Sequence, residues 1–404
     1  MKRAVFTLMI AVISSLLLSC GRSAAPEPDR SSSMGDETEP SLPADSEAGT
    51  AIAVETDAAT TLPSPSTVSF SWSDGRKTVI RGSSWAPRVF SAEPGKLIAG
   101  YETSSGIKTA ISINNGRNWT AEAAASFRPD KACANVNFYA FDGRLYMAYR
   151  AIGDQDDGFY TSLQVSVSED SGRSWRHHST ICEYLEASHK TKGVWEPCLG
   201  EIDGNLVCFY ANDHPSVTSM QNIESLTWDG TAWSNRTVIS NGKNHNSRDG
   251  MPVWIRLESG GYAMVIESSH ERNSGHPFVI RLLLSDDGKK WSEPKTVYVP
   301  TTSGSKAGAP GIVELPTGQL VISFQTDEDA TAKGDSTSVM KTIISDGTVY
   351  RKLTTSSFTP SDNVFGTPDG EHSTWSGIWY GEGYLYAAAG TRSGSSLNAI
   401  KITP

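Results

Sequence analysis

Apolar residues along this chain come in short runs broken by glycine, asparagine, aspartate and proline, and no long segment repeats every three or four positions. Such runs read as strands, and their punctuation reads as turns. One unit recurs: an apolar strand, a turn carrying glycine, then a second apolar strand. Its copies lie at 87–102, 135–150, 196–213, 250–267, 309–325 and 373–391, with turn glycines Gly95, Gly143, Gly204, Gly261, Gly318 and Gly383. These glycines are roughly 50–65 residues apart, a period that marks a repeat architecture. Four-stranded units of this size predict an all-β fold, a six-bladed β-propeller of four-stranded antiparallel blades. The strand at 67–72 is expected to pair with the final one at 396–402, which removes two open sheet edges.

A second pattern falls between the hairpins. Ser168, Asp170, Gly172 and Trp175 fit Ser-x-Asp-x-Gly-x-x-Trp. The segment 112–119 fits with Asn114 at the acid position, and 284–291 fits with Leu284 at the serine position and Asp286 as the acid. Looser relatives start at Asp229 and Asp346. Physically this is a turn: the acid accepts backbone N–H groups, glycine supplies positive φ, and tryptophan packs between blades. The pattern resembles the Asp-box (BNR) propellers, which include sialidases and other glycosidases. These acids sit at the blade periphery, so their expected role is structural.

The first residues change the picture of location. Lys2 and Arg3 precede an apolar run at 4–18 that ends before Cys20. The run is short for a membrane span and has the layout of a secretory leader. Its end resembles the bacterial lipobox, which implies lipidation at Cys20. The expected organisation is a signal peptide at 1–19, a lipidated cysteine and disordered acidic tether at 20–68, and the propeller at 69–404. A bacterial cell-envelope lipoprotein follows, periplasmic or on the surface, monomeric and held to the membrane by its lipid alone. The chain has 35 basic and 45 acidic residues, net charge -10. Residues 21–68 hold nine acids against Arg22 and Arg30, so most of the excess belongs to the tether. This balance argues against a nucleic-acid partner. Cys133, Cys182, Cys198 and Cys208 lack zinc-site spacing; an oxidising compartment permits disulfides among them, and buried free thiols are the favoured reading. No metal or cofactor is implied.

Candidate chemistry follows from the repeat. The start of each first strand and the end of each second strand face one axial pocket. These spots hold Arg88, Glu102, Arg150, Glu196, Asp213, Asp249, Glu267 and Gln325. Glu196 lies between Trp195 and Pro197, and Glu267 ends the apolar run 263–266. A carboxylate there needs a partner or a task, and apolar surroundings raise its pKa. Glu196 and Glu267 belong to adjacent repeats, as a two-carboxyl glycosidase requires. The alternative is that they pair with Arg150, Arg248 or Arg256. Arg248, His245 and His270 read as loop residues or orienting partners. Trp85, Trp195 and Trp375 read as packing residues or sugar platforms.

The segment from Arg248 to Pro252, the run 261–267 and Val194-Trp195-Glu196-Pro197 resemble the exo-1,5-α-L-arabinanases of glycoside hydrolase family 93. The resemblance implies a six-bladed propeller that releases arabinobiose from linear arabinan with retention. It implies Glu196 as nucleophile and Glu267 as acid/base, with Arg88, Glu102, Arg150, Asp213, Arg248, Asp249, Gln325 and Trp375 around the sugar. The partner is then an oligosaccharide or polysaccharide. An exo-α-sialidase is the alternative enzyme: Arg88, Arg150, Arg248 and Arg392 supply cations, but Trp375 stands near the expected nucleophilic tyrosine. A non-catalytic glycan-binding lipoprotein is the third reading.

Overall fold

A computed structural model describes residues 67–404, except 156–157, 187–191, 215, 219, 270–274, 348–349 and 404. The leader, Cys20 and nearly all of the tether lie outside the described residues. The rest forms six four-stranded antiparallel sheets. The innermost strands are Trp85–Glu93, Ala132–Phe141, Val194–Ile202, Asp249–Arg256, Ala307–Glu314 and Ser373–Gly381. They head blades one to six, and each packs against its neighbours around the ring. The six-bladed propeller of four-stranded blades is therefore the fold.

Sequence dictates this locally. The first-to-second-strand turns of blades two, three and six place Asp142-Gly143, Asp203-Gly204 and Glu382-Gly383 in the left-handed region. Two such residues in succession give the tight turn whose twist suits a hairpin. The second strands are almost wholly apolar and buried, as in Tyr262–Ser268 and Leu320–Thr326. Their side chains fill six apolar clusters around the ring.

The ring closes as expected in kind but with a different strand. Arg76–Arg81 pairs with Gly394–Lys401 as the fourth strand of blade six. The segment 67–72 is not that strand. Val68 and Trp72 enter the apolar cluster between blades five and six, and the Trp72 indole N–H donates to Thr342 Oγ1 at 2.9 Å. The apolar residues of 67–72 thus serve as a wedge, and the ladder falls to a strand with an alternating pattern.

The peripheral turns have the expected geometry. Gly172 N–H donates to Ser168 Oγ, and Ser174 N–H to Asp170 Oδ1, each at 2.8 Å. In blade four the match shifts by one residue. Ser285 accepts from Gly288 N–H at 2.8 Å, and Asp287 accepts from Lys289 and Lys290 N–H at 2.8 Å. Asp286, the expected acid, instead forms an ion pair with Arg351. The turn works with one residue fewer between serine and glycine. All four described cysteines are free thiols.

Candidate active site

Every innermost strand is interrupted at the same place. Ala86, Asn135, Glu196, Met251, Ala309 and Trp375 all have φ between 45° and 60°. Each sits where the register with the second strand shifts. These are six equivalent β-bulges, which re-aim a side chain and leave backbone groups unpaired. Pro87, Pro197, Pro252 and Pro310 follow four of them, and proline has no N–H to strand there.

The residues just before the bulges pair with Glu102, Arg150, Ala211, Glu267, Gln325 and Gly390 on the second strands. Three of these reach across to the next blade's bulge. Glu102 Oε1 accepts from Asn135 N–H at 2.9 Å, Glu267 Oε2 from Ala309 N–H at 3.0 Å, and Gln325 Oε1 from Trp375 N–H at 2.7 Å. The polar residues that mark the pocket in sequence therefore also satisfy N–H groups freed by the bulges.

Glu196 is the bulge residue of blade three. Its Oε2 is buried and has no hydrogen-bond partner among the described residues. Burial pushes its carboxyl up to about 7; Arg150 opposes this, and the charge of Glu267 adds to it. The two carboxyls thus feel one another across neighbouring blades. Glu267 is 8% exposed and fully engaged, since Oε1 accepts from Arg248 Nη1 at 3.1 Å. It occupies a slot between two glycines. A β-carbon would lie 2.6 Å from Glu267 Oε2 at Gly308 and 3.3 Å from Oε1 at Gly250.

Arg150 lies between acids. Its guanidinium stacks over Trp195 at 4.6 Å, and burial lowers its pKa against the pull of Glu196 and Glu102. Asp213 fixes the Trp195 indole: Oδ1 accepts from Trp195 Nε1 at 2.8 Å and Gly193 N–H at 2.9 Å, and Oδ2 from Lys192 Nζ at 3.0 Å. Trp85 Nε1 donates likewise to Glu102 Oε2 at 2.8 Å. Burial raises the Glu102 carboxyl, and the Asn135 N–H and Arg150 restrain it. Arg248 also lies 5.0 Å from the Phe278 ring.

Three expected sugar ligands are committed elsewhere. Asp249 is fully buried and accepts from the hydroxyls of Ser240, Ser247 and Ser268. It ties together the segments that enter blade four. Arg88 Nη1 donates to Trp375 O at 2.7 Å and Pro87 O at 3.0 Å. Gln325 Nε2 reaches Asp335 Oδ1 at 3.3 Å, so both ends of its amide are used. Arg392 is exposed and paired with Glu371. His270 lies outside the described residues. Sequence reasoning missed Asn135, Lys192 and Asp335; no motif marks them, and only the bulge geometry and chain folding bring them in. It also missed Gln221, which is 2% exposed and has neither side-chain polar atom paired among the described residues.

No family model and no curated protein sequence matches the chain. Solved structures do. An α-L-arabinanase of Penicillium chrysogenum complexed with arabinobiose matches with TM-score 0.62 at 18% identity, over 80% of this chain and 97% of its own. The family 93 α-L-arabinofuranosidase of Fusarium graminearum, also with arabinobiose, gives 0.61 at 16%, over 79% and 93%. The NanB sialidase of Streptococcus pneumoniae gives 0.52 at 10%, over 84% and 71%. This chain shares their propeller architecture.

Proposed function

We propose that the chain is a retaining, exo-acting glycoside hydrolase, with Glu196 and Glu267 as its carboxyl pair and linear α-1,5-L-arabinan, cleaved to arabinobiose, as its leading substrate. What supports this is that the charge of Glu267 bears on Glu196 from the adjacent blade, with the Glu196 carboxyl pushed up to about 7 by burial and Glu267 bonded to two donors. A retaining glycosidase needs this asymmetry: one carboxyl attacks the anomeric carbon while its partner protonates the leaving oxygen and then activates water. The arabinobiose complexes of two similar structures favour the arabinan choice over other sugars. Attachment to the cell envelope through Cys20 belongs to the same proposal.

The resemblance assigns attack to Glu196 and proton transfer to Glu267. The contacts bear on both residues: Arg248 and the Ala309 N–H donate to Glu267, and burial pushes the Glu196 carboxyl up to about 7. Azide rescue of alanine variants on an activated aryl arabinofuranoside separates the two orders. The acid/base variant returns the retained α-azide, and the nucleophile variant returns the inverted β-azide.

The hydrolase reading predicts arabinobiose from linear arabinan, with at least about a hundredfold loss in Glu196→Gln and in Glu267→Gln while both variants stay folded. Turnover of a fluorogenic sialoside instead of arabinan establishes the sialidase alternative. The engaged arginines disfavour it, as does Tyr380 packing between blades five and six and Tyr384 stacking on Tyr386. Saturable sugar binding without product, equal in both glutamine variants, establishes a binding protein.

A further inference from the structure

Gln221 precedes the third strand of blade three, Asn222–Trp228, and faces blade four. Its backbone carbonyl accepts from Asp249 N–H at 3.3 Å, which fixes its place. Its side chain is anomalous. The residue is 2% exposed, and neither Oε1 nor Nε2 has a partner among the described residues. A buried amide with both ends unpaired destabilises a fold, so its retention asks for a task. Gly250 lies beside both this amide and Glu267: a β-carbon there would lie 2.6 Å from Gln221 Nε2 and 3.3 Å from Glu267 Oε1. Blade three carries Ala211 at the register position from which Glu102, Glu267 and Gln325 reach across, so no long polar side chain reaches the blade-four bulge from that position.

Both present partners of Glu267, the Arg248 guanidinium and the Ala309 N–H, are donors. They suit a carboxylate and offer nothing to a carboxylic acid, whose O–H needs an acceptor. An acid/base residue passes through both forms in each cycle. A primary amide serves both, because its carbonyl accepts and its N–H donates.

We propose that Gln221 is a positioning residue for Glu267, offering its amide carbonyl to the protonated carboxyl and its amide N–H to the ionised one across the space that Gly250 leaves. This rests on the hydrolase reading in the order the resemblance assigns, with Glu267 as acid/base; an inverted β-azide from the Glu267→Ala variant makes Glu267 the nucleophile and overturns it.

The test uses Gln221→Met and Gly250→Ala in the full chain, assayed on linear arabinan. Gln221→Met removes both polar atoms at similar volume. Gly250→Ala leaves the amide intact and wedges a methyl group between it and Glu267. Expected for each is a fall in kcat on the order of tenfold, with KM within about twofold. The unfolding midpoint of Gln221→Met equals or exceeds that of wild type, since an unpaired buried amide is gone. The double variant loses no more than the worse single one, because both cut the same link. Unchanged kcat in Gln221→Met overturns the proposal. So does a loss explained by a lowered midpoint, or losses that multiply in the double variant. A wild type inert on arabinan and on a glycan panel sinks the hydrolase reading first and this one with it.

Discussion

Glu196 carries two penalties at one position. Its backbone is left-handed, with φ 45°, which costs a residue bearing a β-carbon about 1–2 kcal/mol. Its carboxyl is also buried with one oxygen unpaired. Burial raises its pKa from 4.5 to about 7, against Arg150 and with help from Glu267. The pH dependence follows by linkage. Below about pH 4.5 the folded and unfolded chains both hold this proton. Between about pH 4.5 and 7 only the folded chain holds it, so stability falls as pH rises through this window and then levels off. Glu196→Gln mimics the protonated form. Its advantage over wild type is expected to be near zero at pH 4.5 and to reach about 2–3 kcal/mol by pH 8. Urea unfolding at several pH values measures this; a pH-independent difference would mean that Glu196 does not hold its proton in the folded state. Glu267, with both oxygens bonded to donors, is expected to show no such gain on conversion to glutamine.

At the scale of the element, the peripheral turn welds one blade to the next. Gly172 has φ 88°, and a β-carbon there would lie 2.2 Å from Ile98 Cδ1 of the preceding blade. Gly116 and Gly288 meet Leu397 and Ile202 in the same way. Glycine is thus required twice, for the turn and for the neighbouring blade. Gly230, with φ 96° and nothing within 4 Å, separates the two demands. Gly230→Ala is expected to cost about 1–2 kcal/mol and Gly172→Ala about 2–4 kcal/mol, as read by urea unfolding. Equal costs would assign everything to the backbone and nothing to blade contact. These turns were legible in the sequence because glycine, acid and tryptophan each answer a separate physical need. The one-residue misplacement of the acid in blade four, Asp286 for Asp287, arose because the hydrogen bonds tolerate a shorter spacing than the pattern does. The bulges were not legible. Ala86, Met251, Ala309 and Trp375 are not residues that favour positive φ, and the ring imposes that conformation on them. The polar residues around the site were found by repeat position, yet Asp249 and Gln325 proved committed to hydroxyls, a backbone N–H and Asp335. A polar side chain near a pocket has the same one-letter signature whether it serves a ligand or the backbone.

For the whole molecule, the seam of the ring lies in blade six beside blade one: its first three strands, at 373–401, hold the fourth, which leads straight on into blade one, by non-covalent contacts alone. Arg76–Arg81 supplies the fourth strand of blade six, Ser84 bonds Ser395 at 2.8 Å, and Phe90 meets Trp379 with ring centroids 4.5 Å apart. Arg88 adds a bolt at the axial end, joining the carbonyl of Pro87 in blade one to that of Trp375 in blade six. The shape of the site confirms how tightly this bolt is fitted, since a β-carbon at Gly377 would lie 2.6 Å from Arg88 Cδ. Burial lowers the pKa of this guanidinium, and the Glu102 charge counters that shift. A sugar-binding arginine and a seam-closing arginine make opposite predictions. Arg88→Met leaves two carbonyls without their donor, and the expected loss is about 1–3 kcal/mol of stability. Because Glu196 and Glu267 lie on blades three and four, across the ring from the seam, KM and kcat per folded molecule are expected to stay within about twofold of wild type, well under the tenfold of 1.4 kcal/mol. Urea unfolding and arabinan kinetics on the same preparation decide between the roles. A raised KM at unchanged stability returns Arg88 to the substrate, whereas lost stability at constant KM fixes it as the clasp of the ring.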